Sequence, residues 1–336
     1  MTDPQLRDAL WEEAAEQDLR GSLKRRELCR EVLLRGCGLY HVAHYTSGVL
    51  DFALDLLEHS SAPPAVDGAD ARQRRDVHRR MGAQVVYRAV ELDRRLWELQ
   101  SGALIRMVVQ AGENIFFCNS VVGSEHVVSF GAVPRAGDSA VADPTRVSEI
   151  DQAGAQLATD LRRLVRQPSL NPGGWSTATR RQADSSPRGA DDEGVPLHVG
   201  GSTDLTGVFA AALRPAGLHY VSHYRAGERA AVADILAHPE LAPFFNRGVT
   251  VADRRARYHR LAGDVSLLAL QISRDLRRAV ASEVTRLVLD VEMGAIYYYR
   301  VSADDYVFGV TLDQESVSQA DRAVWTVARQ LVETLP

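Results

Sequence analysis

The chain carries one segment twice, and that repeat limits its possible folds more than any other feature. Gly38-Leu39-Tyr40-His41-Val42-Ala43-His44-Tyr45-Thr46-Ser47-Gly48 is echoed by Gly217-Leu218-His219-Tyr220-Val221-Ser222-His223-Tyr224-Arg225-Ala226-Gly227. Over residues 38–59 against 217–238, nine of 22 positions are identical. Unrelated segments share roughly one or two, so these identities support an internal duplication. Two copies of one unit must fold by one plan, and 336 residues give each copy the length of an ordinary domain.

Each copy follows one pattern of elements. An alternating stretch (39–45, 218–224) reaches a glycine, Gly48 or Gly227, and a short apolar segment follows. A helix then carries a His-Arg-x-x-Gly marker, with His78 and Gly82 set against His259 and Gly263. Three strands come next, expected at 104–110, 114–121 and 126–133 and again at 284–292, 295–301 and 305–312, joined by tight turns. A helix closes each copy, over 146–165 and 315–335, with Asp313 placed to cap the second. Residues 4–34 have helical spacing, and Gly21-Ser22 divides them into two helices. Residues 167–203, rich in Ser, Arg, Asp and Gly, lack the apolar content to offset ordering entropy and read as a flexible linker. The expected division is therefore N-terminal helices over 1–35, a first repeat domain over 36–166, the linker over 167–203 and a second repeat domain over 204–336.

Composition narrows the class. Hydrophobic residues at 45% and charged residues at 25% are those of a globular protein, and no apolar run is long enough to span a membrane. A formal charge of −5 argues against a surface built for nucleic acid. The N-terminus has no basic start followed by an apolar run, and three cysteines make neither a metal quartet nor a disulfide framework. A bacterial cytoplasm is the expected setting.

The residues that recur are the candidates for function. His44 and His223 recur with Tyr45 and Tyr224, as do His59 with His238. Tyr297 and Tyr299 belong to a run of three tyrosines in which both sheet faces are represented, so at least one ring is expected on an outer face. His44, Tyr45, His223, Tyr224, Tyr297 and Tyr299 are accordingly the candidate ligand or partner surface. The competing reading is that the histidines are half-buried and satisfied by hydrogen bonds, and that the tyrosines pair across strands. Phe116-Phe117, in the first copy, suits a subunit contact. The arginine-rich stretches 72–80 and 254–260 read as solvated helix faces. Motifs for a serine nucleophile elbow or a phosphate loop are absent, and Gly36-Cys37-Gly38 lacks the third glycine of a nucleotide fingerprint. No catalytic, cofactor or metal residue is assigned.

The order helix, two strands, helix, three strands, helix resembles that of roadblock (dynein-light-chain-like) domains, within the profilin-like group. The likeness is carried by Arg286-Leu287-Val288-Leu289-Asp290-Val291-Glu292-Met293-Gly294-Ala295-Ile296-Tyr297-Tyr298-Tyr299-Arg300. There a strand turns at a glycine into a second strand, and Asp304–Asp313 then leads into the last helix. The resemblance implies an α/β (α+β) fold of two homologous profilin-like domains, each an antiparallel sheet flanked by helices. It implies a noncatalytic scaffold or regulator that binds a protein, such as a small GTPase or an assembly component, and that pairs through sheet or helix edges. Two readings compete with it: a small-molecule sensor with a cleft near His223 and Tyr224, and an enzyme of unfamiliar type using the recurring histidines.

Overall fold

The computed structural model describes residues 4–14, 22–65, 68–97, 100–133, 141–175, 197–245, 249–277, 280 and 282–334. The chain begins with α1 (Pro4–Asp8), β1 (Trp11–Ala14) and α2 (Ser22–Leu34), followed by β2 (Leu39–Thr46), β3 (Val49–Asp55) and α3 (Ala71–Trp97). Next come β4 (Leu104–Ala111), β5 (Asn114–Val122), β6 (Glu125–Ala132) and α4 (Ser148–Leu164). The second half runs β7 (His198–Gly201), α5 (Thr206–Ala212), β8 (Tyr220–Arg225), β9 (Glu228–Asp234) and α6 (Val251–Leu276). It ends with β10 (Val284–Val291), β11 (Gly294–Arg300), β12 (Asp305–Thr311) and α7 (Val317–Thr334). The fold is mixed α/β, and among the described residues the strands form one twelve-stranded antiparallel sheet in the order β1-β3-β2-β6-β5-β4-β10-β11-β12-β8-β9-β7.

From either edge the strands come in the same sequence, so the two halves meet at the central pair β4–β10. The register there is centred on Val108 opposite Val288, with Arg106 opposite Asp290 on one side and Gln110 opposite Arg286 on the other. Helices cover both faces. Tyr297 donates to the carbonyl of Val317 at the start of α7, at 2.8 Å, whereas Tyr306 donates to the carbonyl of Ala262 in α6, at 3.3 Å. Tyr297 sits opposite Gly309, three residues from Tyr306, so these two hydroxyls leave opposite faces. Every residue of β4 is buried, as expected of a strand covered on both sides. For the same reason the tyrosine run reaches no outer face: Tyr297, Tyr298 and Tyr299 are all buried. Phe116 and Phe117 are buried within the same chain and make no subunit contact of their own.

The expected strands of both halves are present within a few residues of their predicted ends, and the last helix begins where Asp313 caps it, its carboxylate accepting from the amide of Glu315 at 3.0 Å. Asp143 does the same for the amide of Thr145, at 2.8 Å, before α4. Two expectations are corrected. Residues 11–14 are not helical; they pair with β3 as an edge strand, and Trp11 lies under the guanidinium of Arg75, 4.2 Å from its ring centre. A helical spacing of charged and apolar residues does not reveal an available sheet edge. The linker is ordered at both ends: Pro172, Gly173 and Gly174 are buried, and residues 198–201 pair with β9. Its middle, 176–196, with Arg180, Arg181 and Arg188, lies outside the described residues.

The His-Arg-x-x-Gly marker is shifted by one residue relative to the structure. Tyr45 donates to the carbonyl of Arg79 at 3.0 Å, and Tyr224 approaches the carbonyl of His259 at 3.4 Å, which makes Arg79 and not His78 the counterpart of His259. His78 is buried and packs on His41, with ring centres 5.2 Å apart. Tyr258 packs on Tyr220 at 5.3 Å in the other half. The glycines differ accordingly. A Cβ on Gly82 would overlap the Tyr45 hydroxyl, whereas Gly263 faces open space. Gly82→Ala should therefore cost about 1–3 kcal/mol by overpacking. Gly263→Ala should stabilise by up to about 1 kcal/mol through helix propensity. Urea midpoints of the two variants check both signs, and similar effects in the two would restore the equivalence drawn from the sequence.

Candidate functional site

The six residues expected to form a surface are all buried. His44 holds the Asp51 carboxylate at 2.7 Å and stacks on Phe52, with ring centres 5.3 Å apart. Burial lowers its pKa, against the opposing pull of Asp51 and Glu125. His223 lies 3.3 Å from Asp305, and burial lowers its pKa too, with Asp305 opposing. Tyr45 and Tyr224 anchor the long helices α3 and α6 as described above. Tyr224 also meets the Nδ1 of His259 at 2.7 Å. Tyr299 donates to Asp321 at 2.6 Å. Burial raises the hydroxyl pKa of both Tyr297 and Tyr299 well above the ordinary range, so they serve as neutral donors. The cleft expected beside His223 and Tyr224 is filled by Tyr306, whose ring stacks on Tyr224 with centres 4.9 Å apart.

The other recurrent residues have local duties. The Nδ1 of His59 accepts from the amide of Ser61 at 3.1 Å, and that of His238 from the amide of Glu240 at 3.3 Å, each closing the turn after a strand. Just before them, Asp55 and Asp234 accept from the amides of Leu57 and Leu236 and bind Arg75 and Arg255. Burial raises the Asp55 carboxyl, opposed by Arg75. Arg254 is buried as well, so the arginine-rich helix starts are not merely solvated faces. Arg72, Arg80 and Arg260 do stay exposed, but Arg74 and Arg75 in one half and Arg254 and Arg255 in the other turn inward to carboxylates and carbonyls.

A buried charged group joins the two halves, and the sequence reading missed it. Arg106 contacts Asp151 on α4 and donates to Asp290 across the central strand pair, at 2.8 Å. The amide of Gly173 donates to the same Asp290 oxygen at 2.8 Å, so the linker start seals the group. Gly173 has φ of +75°, and a Cβ there would crowd the Arg106 guanidinium, which leaves glycine as the residue that fits. On the mirrored side Arg286 binds Asp321 on α7, its Nε 3.3 Å from the carboxylate. Burial works against the charge on Arg286, but Asp321 outweighs it and the guanidinium holds its proton more tightly than usual. Burial raises the carboxyls of Asp151 and Asp290, with Arg106 opposing in both. One signal was legible: Asp143 and Asp151 are spaced as are Asp313 and Asp321, eight residues apart at the start of the closing helix.

Exposed apolar side chains also lie on the outer side of α3 and α6, which run side by side. Tyr87 and Val90 are 67% and 53% exposed on α3, and Leu267 and Leu270 are each 52% exposed at the matching positions of α6. At one end the two helices are tied by Arg88 to Asp275, at 3.2 Å. At the other end the matching residues are Leu268 and Arg95, which cannot form that pair, and a groove of about 590 Å³ opens between Leu92, Arg95, Arg260, Leu261, Asp264 and Leu268. Its apolar floor and charged rim suit association with a protein surface. Among the described residues no helix is long and apolar enough to cross a membrane, and no group of three or more His, Cys, Asp or Glu is arranged to hold a metal ion. Compared with known protein families and with curated proteins, the chain matches none.

Proposed function

We propose that the chain is a noncatalytic protein-binding platform made of two homologous profilin-like units, the first over 36–166 and the second over 204–336. A small GTPase or an assembly component docks on the outer face of α3 and α6. The observation that carries this reading is the recurrence of exposed apolar residues at matched positions of both helices, Tyr87 with Leu267 and Val90 with Leu270. Exposed apolar side chains grouped on one face favour burial against a partner. The resemblance to roadblock domains supplies the class of partner, and the joined sheet supplies a rigid base for it. A fused pair then presents one pseudo-twofold face without a second chain, and a bacterial cytoplasm is the setting proposed for it.

The test is recovery of partners from the host lysate with the tagged chain and with its Leu267→Asp/Leu270→Asp variant. Both positions are solvent-exposed, so the variant should keep its circular dichroism and melting temperature. A GTPase or assembly component recovered stoichiometrically by the parent chain and lost with the variant is the expected result. Equal recovery by both, or none by either, removes the platform reading.

A further inference from the structure

The two halves fill the space between long helix and sheet differently. In the second half Tyr306 stacks on Tyr224 beneath α6 and Tyr298 packs on Tyr306 at a tilt of 33°, with successive ring centres 4.9 and 5.2 Å apart. Sheet register identifies their counterparts. His126 sits opposite Tyr45 as Tyr306 sits opposite Tyr224, and Cys118 sits opposite Val128 as Tyr298 sits opposite Phe308. An imidazole and a thiol are each smaller than a phenol. The space they release is open in the first half.

A cavity of about 570 Å³ lies between α3 and the tips of the β2–β3 and β5–β6 hairpins, walled by Ala83, Val86, Tyr87 and Val90. An adjoining one of about 240 Å³ reaches Asp93 and Cys118, and His126 and Val90 border both. The larger space has the size and mostly apolar walls of a small-molecule site, and the smaller one adds polar groups to it. Polar groups sit where the two spaces meet and at one end. Burial lowers the pKa of His126, opposed first by the Ser124 carbonyl, 3.3 Å from its Nδ1, and then by Asp93, so the imidazole is neutral at neutral pH. Asp93 presents a carboxylate, one oxygen of which accepts from the amide of Leu104 at 2.6 Å. The Cys118 thiol is pushed up to about 12 by burial, so it contributes volume and no nucleophile.

We propose that this space binds a small planar aromatic molecule bearing a hydroxyl or ring N–H. Its ring takes the place that Tyr306 and Tyr298 occupy in the other half, and its polar hydrogen goes to His126 or Asp93. The second half acts as an internal reference: it shows that this layer accepts stacked phenols when the chain supplies them. The site rests on the unequal filling of the halves and not on the platform reading. Its test uses no residue of the platform variant.

The experiment is titration of the full chain with p-cresol, the tyrosine side chain as a free molecule, followed by NMR of methyl and imidazole signals. Saturable binding in the millimolar range is expected, with shifts confined to His126, Ala83, Val86 and Val90. Cys118→Tyr/His126→Tyr, which copies the second half, should weaken binding by about tenfold or more. Ala83→Leu narrows the cavity from the helix side and should weaken it comparably, which keeps the test available should the double variant misfold. Absence of saturable binding to the parent chain, shifts spread over the whole surface, or unchanged affinity in the folded variants would each overturn the proposal.

Discussion

Asp290→Ala is expected to cost about 3–5 kcal/mol of stability, the loss typical of a buried ion pair deprived of one partner. The carboxylate is fully buried and is shared by the Arg106 guanidinium and the Gly173 amide, each at 2.8 Å. Its removal leaves Arg106 with Asp151 alone and the Gly173 amide with no acceptor in a place water does not reach. Arg106 and Asp290 also face each other across the central strand pair that joins the halves, so the damage falls on their junction. Asp290→Asn, which keeps an acceptor for Gly173 while losing the charge, should fall between the parent and the alanine variant. Urea unfolding followed by tryptophan fluorescence measures both. A loss under about 1 kcal/mol for alanine would mean that apolar pairing around Val108 and Val288 holds the junction without the charges.

Acidification should destabilise the protein steeply between about pH 6.5 and pH 4. His78 and His219 are buried, and burial lowers the pKa of each to about 4. His78 is bonded through Nδ1 to the Arg74 carbonyl at 2.7 Å, and its Nε2 is buried without a partner. His219 uses both nitrogens in the neutral form: Nε2 donates to the Pro215 carbonyl at 2.7 Å and Nδ1 accepts from the Leu312 amide at 2.8 Å. A proton on that Nδ1 breaks the second bond. Because the folded pKa lies below the unfolded one, the unfolded chain binds the proton first. The penalty is absent above about pH 6.5 and grows by about 1.4 kcal/mol per unit per histidine until the pH nears 4. The two together cost about 5 kcal/mol near pH 4.5. Asp55, Asp151 and Asp290, whose carboxyls burial raises, act in the opposite sense and soften the fall. Urea midpoints across this range test the effect, and His78→Phe should flatten the slope by about one proton. An unchanged slope in a folded His78→Phe variant would remove His78 from the account.

His44, Tyr45, His223 and Tyr224 recur in the sequence, and the structure buries all four, which fits the competing reading of hydrogen-bonded side chains and not a surface. His59 and His238, Asp55 and Asp234, and Tyr45 and Tyr224 each do the same local job in both halves, closing turns or anchoring a long helix. Such jobs keep residues alike because backbone groups must be satisfied wherever the chain turns. Surface residues are under no such demand. Tyr87 and Leu267 share a helix position and are both exposed but differ in identity, so residue identity does not mark them.

Local order was therefore legible from the chain itself: alternation and turn residues place the strands, and Asp313 marks the last helix start. These are short-range properties, set by backbone sterics and by hydrogen bonds a few residues apart. The sequence could not say that two sheets would join through β4 and β10, because either strand's apolar run is equally content against another chain. Nor did it show that Arg106 would meet Asp151, Asp290 and Gly173 there, or that His126 and Cys118 would leave open what Tyr306 and Tyr298 fill. Those outcomes depend on which side chains face each other across 45 to 184 residues of chain, and only the tertiary structure fixes that.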